Sequence, residues 1–163
     1  MSKACYWYYL DASALVKLVV NEPGANDVRR YFNTNSGACT TFVSFIEALG
    51  VLKRKWQDNW QDADYQKAVE GLQIPVYGKK LELDDISLAN PEIFKEVAVF
   101  SQLHNLDFAD ALQLYTIKKG KYSPFTAGSN TRFICADRDL VRAARMNKVL
   151  TWECSKDGSQ HWF

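Results

Sequence analysis

The chain has 163 residues, 20 Lys+Arg against 19 Asp+Glu, and a formal net charge of +1. It is 47% hydrophobic and 24% charged, with 8 Gly and 4 Pro, which excludes disordered, linker-like and collagen-like chains. The length suits one domain, no apolar run is long enough for a membrane span, and the charge balance argues against coating nucleic acid by bulk electrostatics.

The first residues lead into an aromatic run that Asp11 interrupts, with no small-residue cleavage site, so a cytoplasmic rather than secreted protein is expected. Residues 5–10 (CYWYYL) read as a strand buried on both faces. Asp11-Ala12-Ser13 then opens a short helix over residues 14–20, stopped before Pro23-Gly24. A second short helix covers 26–32 and ends in the polar run Asn33 to Gly37. A brief strand at 38–40 precedes a long helix over 42–60. A further helix, connected near Asp62, runs to about residue 72, where Pro75 is expected to break it.

Residues 82–88 suggest a strand. Asn90-Pro91 starts a helix running to about 103, with Pro at the first helical position, where its missing N–H is harmless. The next helix spans 108–119, with cations in its last turn and Gly120 as C-cap. Residues 121–131 read as a polar loop insertion, 133–136 as a strand, 137–146 as a helix and 149–151 as a last strand, leaving 152–163 as a tail. This alternation predicts a single α/β domain, a three-layer α/β/α arrangement with a central parallel sheet.

Cys5, Cys39, Cys135 and Cys154 are widely spaced, with only His104 and His161 to join them. That is not zinc-site spacing, and buried free thiols in a reducing compartment are the better reading. Carboxylates are more informative. Ligand crevices in open α/β sheets lie beyond the carboxyl ends of the strands, where Asp11 and Asp137 both fall. Glu47 is the only charge between Phe42 and Leu52, and Asp110 heads a stripe with Leu114 and Ile117. Each has a local alternative. Asp11 and Asp137 suit helix N-caps, Asp107-x-x-Asp110 suits a helix start, and Ser44-x-x-Glu47 matches a capping box, with Glu47 then facing solvent beside Arg54.

If the four converge, neighbours about 4 Å apart repel by about 4 kcal/mol per pair at an effective dielectric of 20. Such a cluster needs neutralising cations, and oxygen-only ligands select hard ions, Mg²⁺ or Mn²⁺. Ions of that kind support in-line phosphoryl displacement.

Four segments, YLDASALVKLVVNEPGA (9–25), SFIEALGVLKRK (44–55), LDFADALQLYTIKKG (106–120) and FICADRDLVRAARMNKVL (133–150), together resemble the PIN-domain family, and within it the VapC-type toxins of bacterial toxin–antitoxin pairs. The resemblance implies a parallel-sheet α/β/α fold and Mg²⁺- or Mn²⁺-dependent cleavage of RNA. It implies a catalytic and metal-holding quartet of Asp11, Glu47, Asp110 and Asp137, with Asp139 as an auxiliary ligand and Ser13 orienting the first Asp. It also implies a homodimer and an antitoxin protein as partner. Cys135 stands where Thr or Ser is frequent.

Without the quartet, 20 positive side chains face 15 negative ones. Arg138, Arg142 and Arg145 recur at helical spacing beside Asp137, and with Arg54 they are the candidate RNA-binding cations. Two other readings are a non-catalytic PIN-like module that binds RNA or protein, and another metal-dependent phosphohydrolase. Against a dehalogenase-like phosphatase, Ser13 stands where its second Asp belongs, and no Gly-rich loop precedes a Lys-Ser or Lys-Thr pair as a nucleotide site requires.

Overall fold

The computed structural model describes residues 7–123 and 130–162. The aromatic run supplies β1 (Tyr8–Leu10), followed by α1 (Ala12–Val19), α2 (Ala25–Thr34) and β2 (Ala38–Thr41). Two long helices follow, α3 (Phe42–Asn59) and α4 (Asp62–Tyr77), and then β3 (Leu81–Asp84). The second half comprises α5 (Pro91–His104), α6 (Phe108–Lys119), β4 (Arg132–Cys135), α7 (Arg138–Met146) and β5 (Leu150–Glu153). Residues 5 and 6 of the expected first strand, and 124–129 of the expected loop insertion, lie outside the described residues.

The five strands form one parallel sheet in the order β3-β2-β1-β4-β5. Alternation along β1 divides the interior. Tyr8 and Leu10 join Leu15, Val28, Leu52 and Leu72 beneath α1 to α4, whereas Tyr9 joins Val97, Leu114, Ile117 and Leu140 beneath α5 to α7. Full burial of each such side chain contributes about 2 kcal/mol. Helices therefore cover both sheet faces, as a parallel sheet requires, and the arrangement is the three-layer α/β/α fold expected. Among the described residues no helix is long and apolar enough to cross a membrane.

Several local expectations change. Helix α4 continues through Pro75 to Tyr77. Proline there removes one hydrogen bond in the last turn, too near the end to stop the helix earlier. Strand β3 stops at Asp84, and Ile86 and Leu88 instead pack on the second core from the loop that follows. The cap of α3 is Thr41, whose hydroxyl accepts from the Ser44 N–H at 3.0 Å, so Ser44 is no N-cap and no Ser44–Glu47 box forms. Trp152 belongs to β5 and is 0% exposed, so the tail begins only after Glu153. Gly120 ends α6 without a left-handed conformation. A Cβ there would overlap the Asp84 carboxylate and the Thr116 carbonyl, so glycine is needed for close approach.

Candidate active site

Parallel strands deliver their carboxyl ends to one edge, and a cleft of about 390 Å³ opens there, lined by Asp11, Ser13, Glu47, Arg54, Asp107, Asp110 and Asp137. Larger cavities of about 640 and 550 Å³ lie against α4, but neither gathers this carboxylate set, and the donors rather than the volume mark the site.

Asp11 follows β1 and is 4% exposed. Its Oδ2 accepts from the Ser13 N–H at 3.1 Å and from the Ser13 hydroxyl at 2.5 Å. The Cys135 thiol adds a third donor at 3.4 Å. Capping of α1 and placement in the cleft are thus one arrangement, and the two readings of Asp11 do not compete. Ser13 Oγ also accepts from the Ala136 N–H at 2.9 Å, which ties the β1–α1 junction to the β4–α7 junction. Burial pushes the Cys135 thiol well up, with Asp11 adding to the effect, so the thiol serves Asp11 as a donor.

Glu47, half-buried on α3, faces this cleft rather than open solvent. Burial raises its carboxyl, Asp11 and Asp107 raise it further, and Arg54 opposes them. Asp110, in the first turn of α6, is pushed up to about 7 by burial first and then by Asp107, Asp11, Asp137 and Glu47. Those influences reach it from α6 itself, β1, the β4–α7 junction and α3. Asp137 caps α7, its Oδ1 accepting from the N–H groups of Asp139 and Leu140 at 2.9 Å.

Asp107 is a cleft residue that the sequence reading does not anticipate. It caps α6 by accepting from the Asp110 N–H at 2.9 Å, and capping is a complete local explanation for it. The available signal is its separation from Asp110, three residues, which on a helix means the same face. Asp139, by contrast, does not line the cleft. Its exposed carboxylate turns to Arg142 one turn along, at 3.1 Å. The cationic stripe also divides. Arg54 lies at the cleft, whereas Arg138 and Arg145 line a neighbouring pocket that Arg142 does not reach.

In kind and charge, this set of carboxylates, running from buried Asp11 through half-buried Glu47 and Asp110 to exposed Asp107 and Asp137, fits a hard divalent cation, which would offset the mutual repulsion that adds to burial in raising Asp110. In placement the side chains stand apart. Among the described residues no three His, Cys, Asp or Glu form a group that holds an ion as they lie.

A profile of the PIN domain family matches residues 8–146. The chain belongs to the PIN-domain family. Among solved structures, the fold is similar to that of PAE2754 from Pyrobaculum aerophilum, at 19% identity and a TM-score of 0.59, over 85% of this chain and 80% of that one. At that identity the likeness concerns the fold alone. No curated protein matches the chain by sequence. PIN domains are typically nucleases that act on nucleic acid and generally use divalent metal ions, and the cleft sits where the sheet of such a domain presents its ligand edge.

Proposed function

We propose that this PIN domain is a divalent-metal-dependent endoribonuclease, the toxin of a bacterial toxin–antitoxin pair, acting in the cytoplasm as a homodimer and restrained by an antitoxin protein. The nuclease reading is carried by one observation: carboxylates from β1, α3, α6 and the β4–α7 junction line one cleft, where Asp110 retains its proton to about 7. The toxin, antitoxin and dimer readings rest on the resemblance to VapC-type sequences.

In this reading Asp11 and Asp110 hold Mg²⁺ or Mn²⁺, helped by Glu47 and Asp137. When bound, the metal supplies charge stabilisation to the attacking and leaving oxygens of an in-line displacement. Ser13 and Cys135 fix the Asp11 carboxylate by donating to its Oδ2. Ser13 also holds β4 against β1 through Ala136, keeping Asp11 and Asp137 in register. Attack of water on phosphorus with rupture of the P–O3′ bond leaves 5′-phosphate and 3′-hydroxyl ends and makes no use of the 2′-hydroxyl. Arg54, at the cleft beside Glu47, is placed to meet a phosphate oxygen.

The test is a matched metal titration of wild type and Asp110→Asn. Mn²⁺ should raise the wild-type melting temperature and support cleavage of single-stranded RNA, and the variant should lose both. A wild type indifferent to divalent ions would refute the enzyme, and cleavage retained by Asp110→Asn would refute the residue assignment. Growth arrest on expression of wild type but not of Asp110→Asn, relieved by the product of an adjacent small gene, would test the toxin reading.

A further inference from the structure

Next to the acidic cleft, on the side of Asp137 where Arg138 begins α7, lies a second concavity of about 330 Å³ and opposite charge. One wall is α7, through Arg138 and Arg145, two turns apart on the same face. The other wall is the segment after β5, which contributes Lys156 and His161 with the hydroxyls of Ser155 and Ser159. Among the described residues, Glu153 is the one carboxylate in the lining. It lies 3.5 Å from Arg138 Nε and accepts from the Ser155 hydroxyl at 3.3 Å. Among the described residues, Arg138, Arg145 and Lys156 therefore share the concavity with one carboxylate.

The second wall is held in place by contacts outside the pocket. The Gly158 N–H donates to Asp27 Oδ2 at 2.6 Å. The Ser159 hydroxyl donates to the Glu153 carbonyl at 3.1 Å and accepts from the Trp152 indole at 3.4 Å. Trp162 packs with ring centroids 5.5 Å from Tyr31 and 5.8 Å from Trp152, under the Arg132 guanidinium. Lys156 and His161 are thus carried by backbone ordered before any ligand arrives, which lowers the entropic cost of binding. Packing of the segment is complete through Gly158, Ser159 and Trp162, and does not require cations on its inner side. Convergence of like charges costs free energy, and an anion that accepts from all of them reverses that cost.

We propose that this pocket seats a backbone phosphate of the substrate RNA strand, adjacent along the chain to the phosphodiester in the carboxylate cleft. The identity of the strand rests on the nuclease reading above. A phosphodiester offers two anionic oxygens, which suit the fork of an arginine and the point charge of a lysine. Beside a cleft that repels anions until it holds cations, such a seat supplies the attraction the cleft lacks and sets the direction in which the strand lies.

The experiment measures binding of a fluorescent single-stranded RNA of about 12 nucleotides in EDTA, so that no turnover occurs, across about 50 to 200 mM salt. Lys156→Glu and Arg138→Glu are compared with Arg142→Glu, which makes the same charge change on α7 outside the pocket. Both pocket variants should bind about tenfold more weakly, and the slope of log affinity against log salt should fall by about 0.7, the share of one phosphate that is no longer neutralised. Arg142→Glu should leave the slope unchanged, and all three should melt like wild type. Pocket variants indistinguishable from Arg142→Glu would overturn the proposal. Inorganic phosphate is titrated in parallel by NMR on isotope-labelled protein. Phosphate that shifts the Lys156 and His161 signals, with RNA binding unchanged in the variants, would assign the pocket to a free phosphate and overturn the strand assignment. Because binding is read without metal, a failed cleavage assay would refute the nuclease reading and leave this result standing on its own.

Discussion

Asp110 concentrates the electrostatics of the cleft in a single proton. Its carboxyl is raised from 3.8 to about 7 in the fold. Native protein therefore takes up a proton that unfolded chain releases across that window, and stability is lost as pH rises through it. Metal-free wild type should be less stable at pH 8 than at pH 5 by on the order of 1 kcal/mol from this group, after discounting for its open side. Asp110→Asn should abolish that difference, which paired urea titrations in EDTA would read. Asp107→Asn keeps a good N-cap for α6 while removing the charge nearest in effect to Asp110. It should leave metal-free stability unchanged or raised, lower the Asp110 carboxyl and weaken Mn²⁺ binding. Proton-detected titration of Asp110 and calorimetry with Mn²⁺ would check both effects.

At this scale legibility depends on whether a side chain has a sufficient local explanation. For Asp110 the local explanation, a carboxylate at a helix start, is the weakest of the four, since it heads an apolar stripe whose Leu114 and Ile117 are fully buried. Asp107 has one, and capping hides its place in the cleft. Asp139 sits two residues from a cleft carboxylate, but the turn of α7 carries it to Arg142, a rotation that spacing along the chain does not display until the helix start is known.

Elements are legible where hydrophobic periodicity or punctuation is strong. Helix α6, bounded by Asp107 and Gly120, matches its expected span, and Asn90-Pro91 opens α5 as expected. Expectation fails where a residue's usual effect depends on position, as for Pro75 near the end of α4, and where two capping patterns overlap at Thr41 and Ser44. Thr41 starts the helix that carries Glu47, so Thr41→Ala should cost about 1 kcal/mol in stability and lower cleavage more than its loss of folded protein explains, as read by urea titration beside an activity assay. Gly120→Ala should destabilise by about 1–3 kcal/mol, because the new methyl meets the buried Asp84 carboxylate and a helix carbonyl. Gly24 is a comparable position on the other side of the sheet. It lies in the left-handed region, and a Cβ there would overlap the Cys154 carbonyl, so Gly24→Ala should loosen the start of the tail as well as α2, visible as faster amide exchange at Gly158.

For the whole molecule, strand–helix alternation identifies the class of fold, and the parallel sheet follows because such connections cannot reverse direction cheaply. Strand order and the role of the tail are not legible. Trp152 and Trp162 lack any evident core partner in the sequence because that partner, Tyr31, lies more than a hundred residues away on α2. Net charge is legible but misleading on its own, since the acidic cleft and the basic pocket lie side by side and nearly cancel in the sum. Saturating Mn²⁺ at about a hundred times its dissociation constant adds about 2.7 kcal/mol to a protein that binds it only when folded. At this size that should raise the melting temperature by roughly 5–11 °C, and EDTA should reverse it in a thermal scan.

The order β3-β2-β1-β4-β5 places the first of the described strands in the middle of the sheet. Asp11 and Glu47 precede or follow strands on one side of it, and Asp110 and Asp137 come from the half that completes the other side. During synthesis, therefore, the ribosome releases half of the carboxylates long before the rest, and a chain interrupted upstream of α7 carries an incomplete cleft and no basic pocket. A fragment that ends before α6 carries only Asp11 and Glu47 of the quartet, and the opposing charges of cleft and pocket come together only once α7 and the segment after β5 have been made.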